Sequence, residues 1–198
     1  MTTCRTLPLQ TDELRNDRIF MHSLLIIRHA VPADADAISQ LIHRVAGFCT
    51  VNPSGEGAEM FFSSISAQAI GSYIANANFL YLLGLFGDTL AGVVAVRDAR
   101  HVFHLFVAPA FQYQGIGTAL ALTAIKSSLA AKPSETFTVN SSLPAVPFYA
   151  RLGFQQHGPG VEDKGVAFVP MQLAITDLIH PLPQSPVNLS SFCMSVPL

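Results

Sequence analysis

The stretch APAFQYQGIGTALALTAIKSSL, residues 108–129, follows an apolar run and passes through two closely spaced glycines into a segment of helical periodicity. A strand that ends in a turn and opens a helix presents that helix's first unpaired N–H groups. Glycine lets a ligand approach this backbone with no side chain in the way. The expected ligand is a phosphate. Two common phosphate loops are excluded by their other residues: the Gly-Lys-Ser/Thr ending of a Walker loop is absent, as is the third glycine of a dinucleotide fingerprint. From spacing alone, Gly115 and Gly117 suit a tight turn and close packing equally well.

Upstream of this stretch lie FLYLLGLFG, TLAGVVAVRD and HVFHLFVAP, apolar, β-branched or aromatic runs separated by Gly87-Asp88 and by Asp98 to Arg100. They read as an antiparallel meander. Downstream, Ile116, Leu120 and Ala124 recur at fourth positions until Lys132-Pro133 ends the helix. ETFTVNSS then reads as a strand, PAVPFYARLG as a short helix closed by Gly153, and GVAFVPMQLAI as a last strand interrupted at Pro170.

At the other end, SLLIIRHA (23–30) is a strand signal. Ile38, Leu41, Ile42 and Val45 fall at helical spacing behind the potential caps Asp34 and Asp36. TVNPSGEG is rich in turn formers, and AEMFFSSISAQAIGSYIANAN predicts a second helix weakened at Gly71. The predicted fold is α+β (mixed α/β): strand, two helices, three strands, then helix, strand, helix, strand. Residues 1–22 lack periodicity and read as an extension, 23–176 as one domain, and 177–198 as a Pro-rich tail.

Half of the 198 residues are apolar and 12% are charged, enough to bury the core of a single domain. A net charge of −2 gives no field for a nucleic-acid backbone, so nucleic acid is not an expected partner. Cys4, Cys49 and Cys193 match neither a zinc-ligand spacing nor a disulfide framework, which points to a reducing cytoplasm and no metal. The mixed charges of the first twenty residues do not form a signal peptide, and no later run reaches the roughly 18 uncharged residues of a membrane span. A cytoplasmic protein without a membrane partner is expected.

LFVAPAFQYQGIGTAL (105–120) resembles the signature of the GNAT superfamily of acyl-CoA-dependent N-acyltransferases: Gln/Arg, any two, Gly, any, Gly/Ala, matched by Gln112, Gly115 and Gly117. VNSSLPAVPFYARLGF resembles the second family signature, a strand carrying Asn, a helix carrying Tyr and a Leu-Gly-Phe turn. The resemblance implies a central, mostly antiparallel sheet with one splayed strand pair and helices on both faces. Acetyl-CoA is the implied co-substrate. Backbone amides of Gln112, Tyr113, Gln114, Gly115, Ile116, Gly117 and Thr118 would hold its pyrophosphate. The strand near Leu105, Phe106 and Val107 would bulge, splay and pair with the pantetheine arm. Asn140 matches a cofactor-contacting position, and Phe148 lies beside the sulfur end.

Acyl transfer from a thioester to an amine needs a neutral amine, a donor for the carbonyl oxygen and a proton for the departing thiolate. Tyr149 is the candidate acid, since a phenol pKa of about 10 lies near or above that of a thiol. Without the motif, Tyr149 reads as a packed helix aromatic. The amide of Val107 or a neighbour is the implied oxyanion donor. His101 stands where several family members carry Glu and is the candidate base, directly or through water; a strand histidine bonded to backbone or solvent is the alternative. His104 competes, but strand alternation puts the two on opposite faces unless a bulge intervenes.

Acceptor specificity is assigned by the resemblance to residues 43–62 and 157–166. Within them His43, Glu56, Glu59 and Glu162 read as surface charges, and Phe48, Phe61 and Phe62 as core. The expected acceptor is a primary amine of a small molecule or peptide. A non-catalytic acyl-CoA-binding or regulatory module is the alternative reading, whereas a Ser hydrolase lacks its Gly-x-Ser-x-Gly elbow. A homodimer is compatible with the sequence.

Overall fold

The computed structural model describes residues 25–176; the expected extension, the Pro-rich tail, Cys4 and Cys193 lie outside the described residues. In chain order the elements are β1 (Leu25–His29), α1 (Ala35–Val45), α2 (Glu59–Ser64), α3 (Ala67–Ala75), β2 (Phe79–Phe86), β3 (Thr89–Arg97) and β4 (His101–Val107). They continue with α4 (Ile116–Ala131), β5 (Thr136–Ser141), α5 (Val146–Arg151), β6 (Gln155–Gln156), β7 (Val161–Asp163) and β8 (Val166–Ala174).

The sheet order is β1-β2-β3-β4-β5-β8-β6, with β7 also pairing β8. Every pairing is antiparallel except β4 with β5. Six consecutive residues of β3, Ala91 to Val96, are buried, so helices cover both faces of the sheet centre. On one face Ile38, Leu41 and Ile42 of α1 and Ile70 of α3 pack on Tyr81, Leu83, Val93 and Ala95. On the other, Ile116, Leu120, Ala124 and Ile125 of α4 pack on Leu82, Val94 and Val96, with Tyr149 and Phe154 beyond. The expected mixed α+β fold with both faces covered is the observed one.

Two paired glycines set the depth at which α4 sits. Gly84 of β2 lies opposite Gly92 of β3. A Cβ at Gly92 would stand 2.9 Å from Leu120 Cδ1 and one at Gly84 would stand 3.4 Å from Leu120 Cδ2. The missing side chains let Leu120 seat on the sheet backbone, and so bring the amino end of α4 down beside the end of β4.

Several local expectations are corrected. The single helix weakened at Gly71 is two helices; the break comes at Ile65-Ser66, where the Ser66 hydroxyl caps α3 by accepting from Ala69 N–H at 3.3 Å. Gly71 lies inside α3. Pro170 does not interrupt the last strand: it stays paired with Asn140, within an unbroken β8. Asp34 precedes α1 without capping it, because its carboxylate takes the Val31 N–H at 2.7 Å and pairs with Arg28 at 2.8 Å.

Candidate active site

β4 and β5 run parallel but pair only at His101 with Thr138 and Val102 with Val139. Beyond Val102 the two strands part. The cause lies in β4: Ala95 of β3 opposes His104 and Val96 opposes Val102, leaving Phe103 as an extra, unpaired residue. The bulge is therefore at Phe103, not at Leu105–Val107 as expected. It has a second consequence. Phe103, His104 and Phe106 all pack toward the α1/α3 face while Val102, Leu105 and Val107 pack toward α4, so the bulge returns His101 and His104 to the same face.

The hydrogen-bond phase of β4 follows from one contact, Ala108 N–H to Ala91 O at 2.8 Å. In an antiparallel ladder, bonded and non-bonded pairs alternate. The pairs Val93–Phe106 and Ala95–His104 are thus bonded, while Gly92–Val107 and Val94–Leu105 are not. The N–H and C=O groups of Leu105 and Val107 consequently face the gap that β5 leaves. Phe106 has its backbone turned to β3, so its expected backbone contribution to ligand binding is withdrawn. The Val107 carbonyl accepts from Gln112 Nε2 at 3.0 Å, and the signature glutamine thereby ties the loop to the strand end.

At the loop's far side Gly115 is the N-cap of α4 with φ of 83°, a left-handed conformation that suits glycine, and no side chain caps the helix. The first helical bond is Ala119 N–H to Gly115 O. The N–H groups of Ile116, Gly117 and Thr118 therefore have no intrahelical acceptor at the positive end of a 16-residue helix. No charged residue occurs from Ala108 to Ile125, so what this segment itself offers an anion is its backbone amides and the helix dipole. Tyr113, with φ of 61°, is 96% exposed at the loop's tip, whereas Gln114 turns inward, donates Nε2 to Ala110 O at 3.0 Å and leaves its buried Oε1 without a partner.

α5 closes the other side of the gap. A Cβ on Gly117 would stand 3.3 Å from the Phe148 ring and 3.6 Å from Val107 Cγ2, which places Phe148 against the junction of loop and strand. Next to it Tyr149 is 6% exposed, its ring edge-on to Phe148 at 5.1 Å and to Phe154 at 5.4 Å. Burial first, and the neighbouring Cys49 second, push the Tyr149 phenol well above its ordinary pKa, so it is a protonated donor at any working pH. No described residue pairs with its hydroxyl. Asn140 lies exposed at the end of β5. The loop, the free edge of β4, Asn140, Phe148 and Tyr149 thus come together around one opening.

His101 sits at the closed end of this opening, its Nδ1 2.8 Å from Thr138 Oγ1. Four residues separate it from Leu105, a rise of roughly 10–13 Å along the strand, so it reaches the centre of the gap only through water. Burial and then Arg97 hold its pKa below the ordinary histidine value.

The two segments expected to flank the acceptor are joined. Val51 N–H donates to Gly165 O at 2.9 Å, Ala167 N–H donates to Cys49 O at 3.1 Å, and Thr50 bridges to Val166. This contact was not foreseen, since its partners lie more than a hundred residues apart. It also brings Cys49 near Tyr149, with burial pushing the thiol up to about 11. Gly165, at φ of 72°, is the pivot: a Cβ there would lie 2.4 Å from Gly57 C and 2.6 Å from Ala58 N. Gly165→Ala is expected to cost about 3 kcal/mol, from backbone overlap plus left-handed strain, and to lower Tm by roughly 10 °C. A thermal melt within 2 °C of the natural protein would remove the pivot.

Of the flanking residues, Phe61 and Phe62 pack against the α1/α3 core, but Phe48 is 65% exposed and the expectation of core burial fails for it. Glu56 and Glu59 are exposed and locally bonded to Asn52 Nδ2 and Gly57 N–H. A cavity of about 360 Å³ lies elsewhere, at the carboxyl end of α4, lined by Asp98, Arg100, Lys132 and Ser134 among others; the negative end of the helix dipole is there. No helix among the described residues is long and apolar enough to cross a membrane.

The family model for the acetyltransferase (GNAT) domain matches residues 49–175. The chain belongs to the GNAT acetyltransferase family. It is accordingly an acyltransferase, and the binding-module alternative gives way. No curated protein sequence matches the chain. Among solved structures, this GNAT chain is similar to a GCN5-related N-acetyltransferase from Rhodopseudomonas palustris, with TM-score 0.62 and 18% identity over 75% of this chain and 94% of the other. PaiA N-acetyltransferase from Thermoplasma acidophilum, in complex with coenzyme A, superposes with TM-score 0.62 and 19% identity, covering 76% and 98%. A mutant of spermidine N-acetyltransferase SpeG from Vibrio cholerae gives TM-score 0.60 and 17% identity, covering 80% and 98%.

Proposed function

We propose that this GNAT acetyltransferase moves an acetyl group from acetyl-CoA to a primary amine of a small molecule or peptide by direct attack on the thioester. The observation that carries the reading is the coincidence of three uncapped helix amides with a strand edge at which the N–H and C=O of Leu105 and the N–H of Val107 face no neighbouring strand. The residues fit coenzyme A: an anion suits the Ile116–Thr118 amides, and a polar, extended arm suits the free edge at Leu105 and Val107. Acetyl-CoA, when bound, supplies the acyl group and a thiol leaving group.

The protein's own part is positioning and proton transfer. The N–H of Leu105 or Val107, aimed into the gap, stabilises negative charge developing on the carbonyl oxygen. Tyr149 gives its hydroxyl proton to the departing sulfur. His101, neutral because burial depresses its pKa, accepts the ammonium proton through water. The sign of the pH effect follows: this base is lost as pH falls through its depressed pKa, so the acid limb of kcat/KM has its midpoint below the ordinary value of about 6.5. His101→Ala is expected to lower kcat/KM about tenfold and to erase that limb. An unchanged pH profile would remove the assignment.

The acceptor flank mixes exposed carboxylates, Glu56, Glu59 and Glu162, with exposed apolar Phe48, Val51 and Met60. This favours an amine with a cationic head and an apolar body over an anionic amino acid. Spermidine, named for one structural neighbour, tests the purely cationic alternative. The experiment is thiol release from acetyl-CoA over a panel of polyamines, arylalkylamines, amino acids and peptides. Thiol release with none of them, despite tight coenzyme A binding, would overturn the transferase reading for these acceptors.

A further inference from the structure

His104 is 6% exposed, and burial pushes its pKa down to about 3, yet the proposed chemistry does not use it. Its Nδ1 lies 2.5 Å from the Tyr81 hydroxyl. The register explains how residues two strands apart meet. Tyr81 of β2 is opposite Ala95 of β3, and Ala95 is opposite His104 of β4. All three project to the α1/α3 face, and the small methyl of Ala95 leaves room for the phenol to reach over it. Phe103 stacks on the imidazole at 4.4 Å, and Tyr73 of α3 and Phe106 meet it edge-on at 6.3 and 5.7 Å.

The bulge and this pair share residues. The register shift falls between Val102 and His104, so His104 is the first residue of β4 to regain its place opposite β3 after the extra Phe103. We propose that Tyr81 and His104 are positioning residues: their hydrogen bond over Ala95 locks the β4 bulge in one register. They thereby fix the direction in which the Leu105 and Val107 amides face the gap. A slip by one residue would turn those amides toward β3 and present the Phe106 amide instead. The inference rests on the proposed acyl transfer for its kinetic consequence, but its structural content does not.

The test compares Tyr81→Phe, which removes only the hydroxyl, with His104→Asn, whose amide can place a polar atom near the Nδ1 position. Tyr81→Phe is expected to lower kcat about tenfold and to weaken coenzyme A binding only a few-fold, because the Ile116–Thr118 amides still hold the diphosphate while the Leu105 and Val107 amides lose their direction. Amide exchange at His104 and Phe106, which pair with β3, is expected to rise at least tenfold, and His104→Asn to stay within threefold of the natural protein in both. A hydroxyl needed only for stability would lower Tm and leave kcat unchanged below the melt. That result, or unaltered exchange at His104 and Phe106, overturns the proposal. If Tyr81→Phe does not fold, the unaltered protein still decides: a slowly exchanging Tyr81 hydroxyl proton coupled to His104 Nδ1 is expected, and its absence counts against the lock. If the unaltered protein turns over no amine, acyl transfer fails while exchange at His104 and Phe106 still tests the lock.

Discussion

Tyr149→Phe is expected to lower kcat about a hundredfold while leaving coenzyme A affinity within twofold, the loss of a single positioned proton donor. The structure separates this from a folding effect. The hydroxyl lies near Cys49 and pairs with no described residue, so its removal orphans no partner among the described residues and Tm should stay level. The ring, held edge-on between Phe148 and Phe154, is unchanged in the variant. A donor to sulfur matters most for a poor leaving group, so a thioester of an acidified thiol analogue should recover much of the lost rate. Equal kcat in Tyr149→Phe and the natural protein would leave Tyr149 as a packed aromatic, the role its burial alone suggests.

The second large effect is expected at Gly117. Even a single carbon there would press the Phe148 ring at 3.3 Å, and Gly117→Val adds two further methyl groups at the same junction. Either Phe148 is driven into the opening or the first turn of α4 moves away from β4, and both outcomes disturb the amides aimed at the ligand. Coenzyme A affinity should fall at least thirtyfold, about 2 kcal/mol. Gly117→Ala, which asks Phe148 to yield a few tenths of an ångström, should cost only a few-fold. Affinity in Gly117→Val equal to that of the natural protein would mean the ligand passes elsewhere.

The loop and helix start were legible because they are written locally: Gln112, Gly115 and Gly117 lie within six residues, and in the structure Gln112 bonds the strand end while Gly115 is the N-cap of α4. Strand and helix identities were legible from period, as with Ile38, Leu41, Ile42 and Val45, all of them buried. The bulge was not. Nothing in HVFHLFV distinguishes Phe103 from a regular strand residue, since the extra residue is defined only against Ala95 and Val96 of the neighbouring strand. Without that shift, the two histidines had to be placed on opposite faces. The Tyr81–His104 pair and the Gly57–Gly165 contact depend on register and loop closure between distant segments, and no local pattern records them. Gly71 misled in the opposite direction: the residue is a weak helix former, but the decisive signal was Ser66, whose hydroxyl starts a new helix.

The most direct measurement is a coenzyme A titration followed by the backbone amide resonances of isotopically labelled protein. The largest shifts are expected at Gly115, Ile116, Gly117 and Thr118, with a second group at Leu105 and Val107 and little change around Asp98 and Lys132 at the far end of α4. Binding that leaves the Gly115–Thr118 amides unmoved, or no binding at millimolar coenzyme A, would contradict the assignment of this helix start as the diphosphate site.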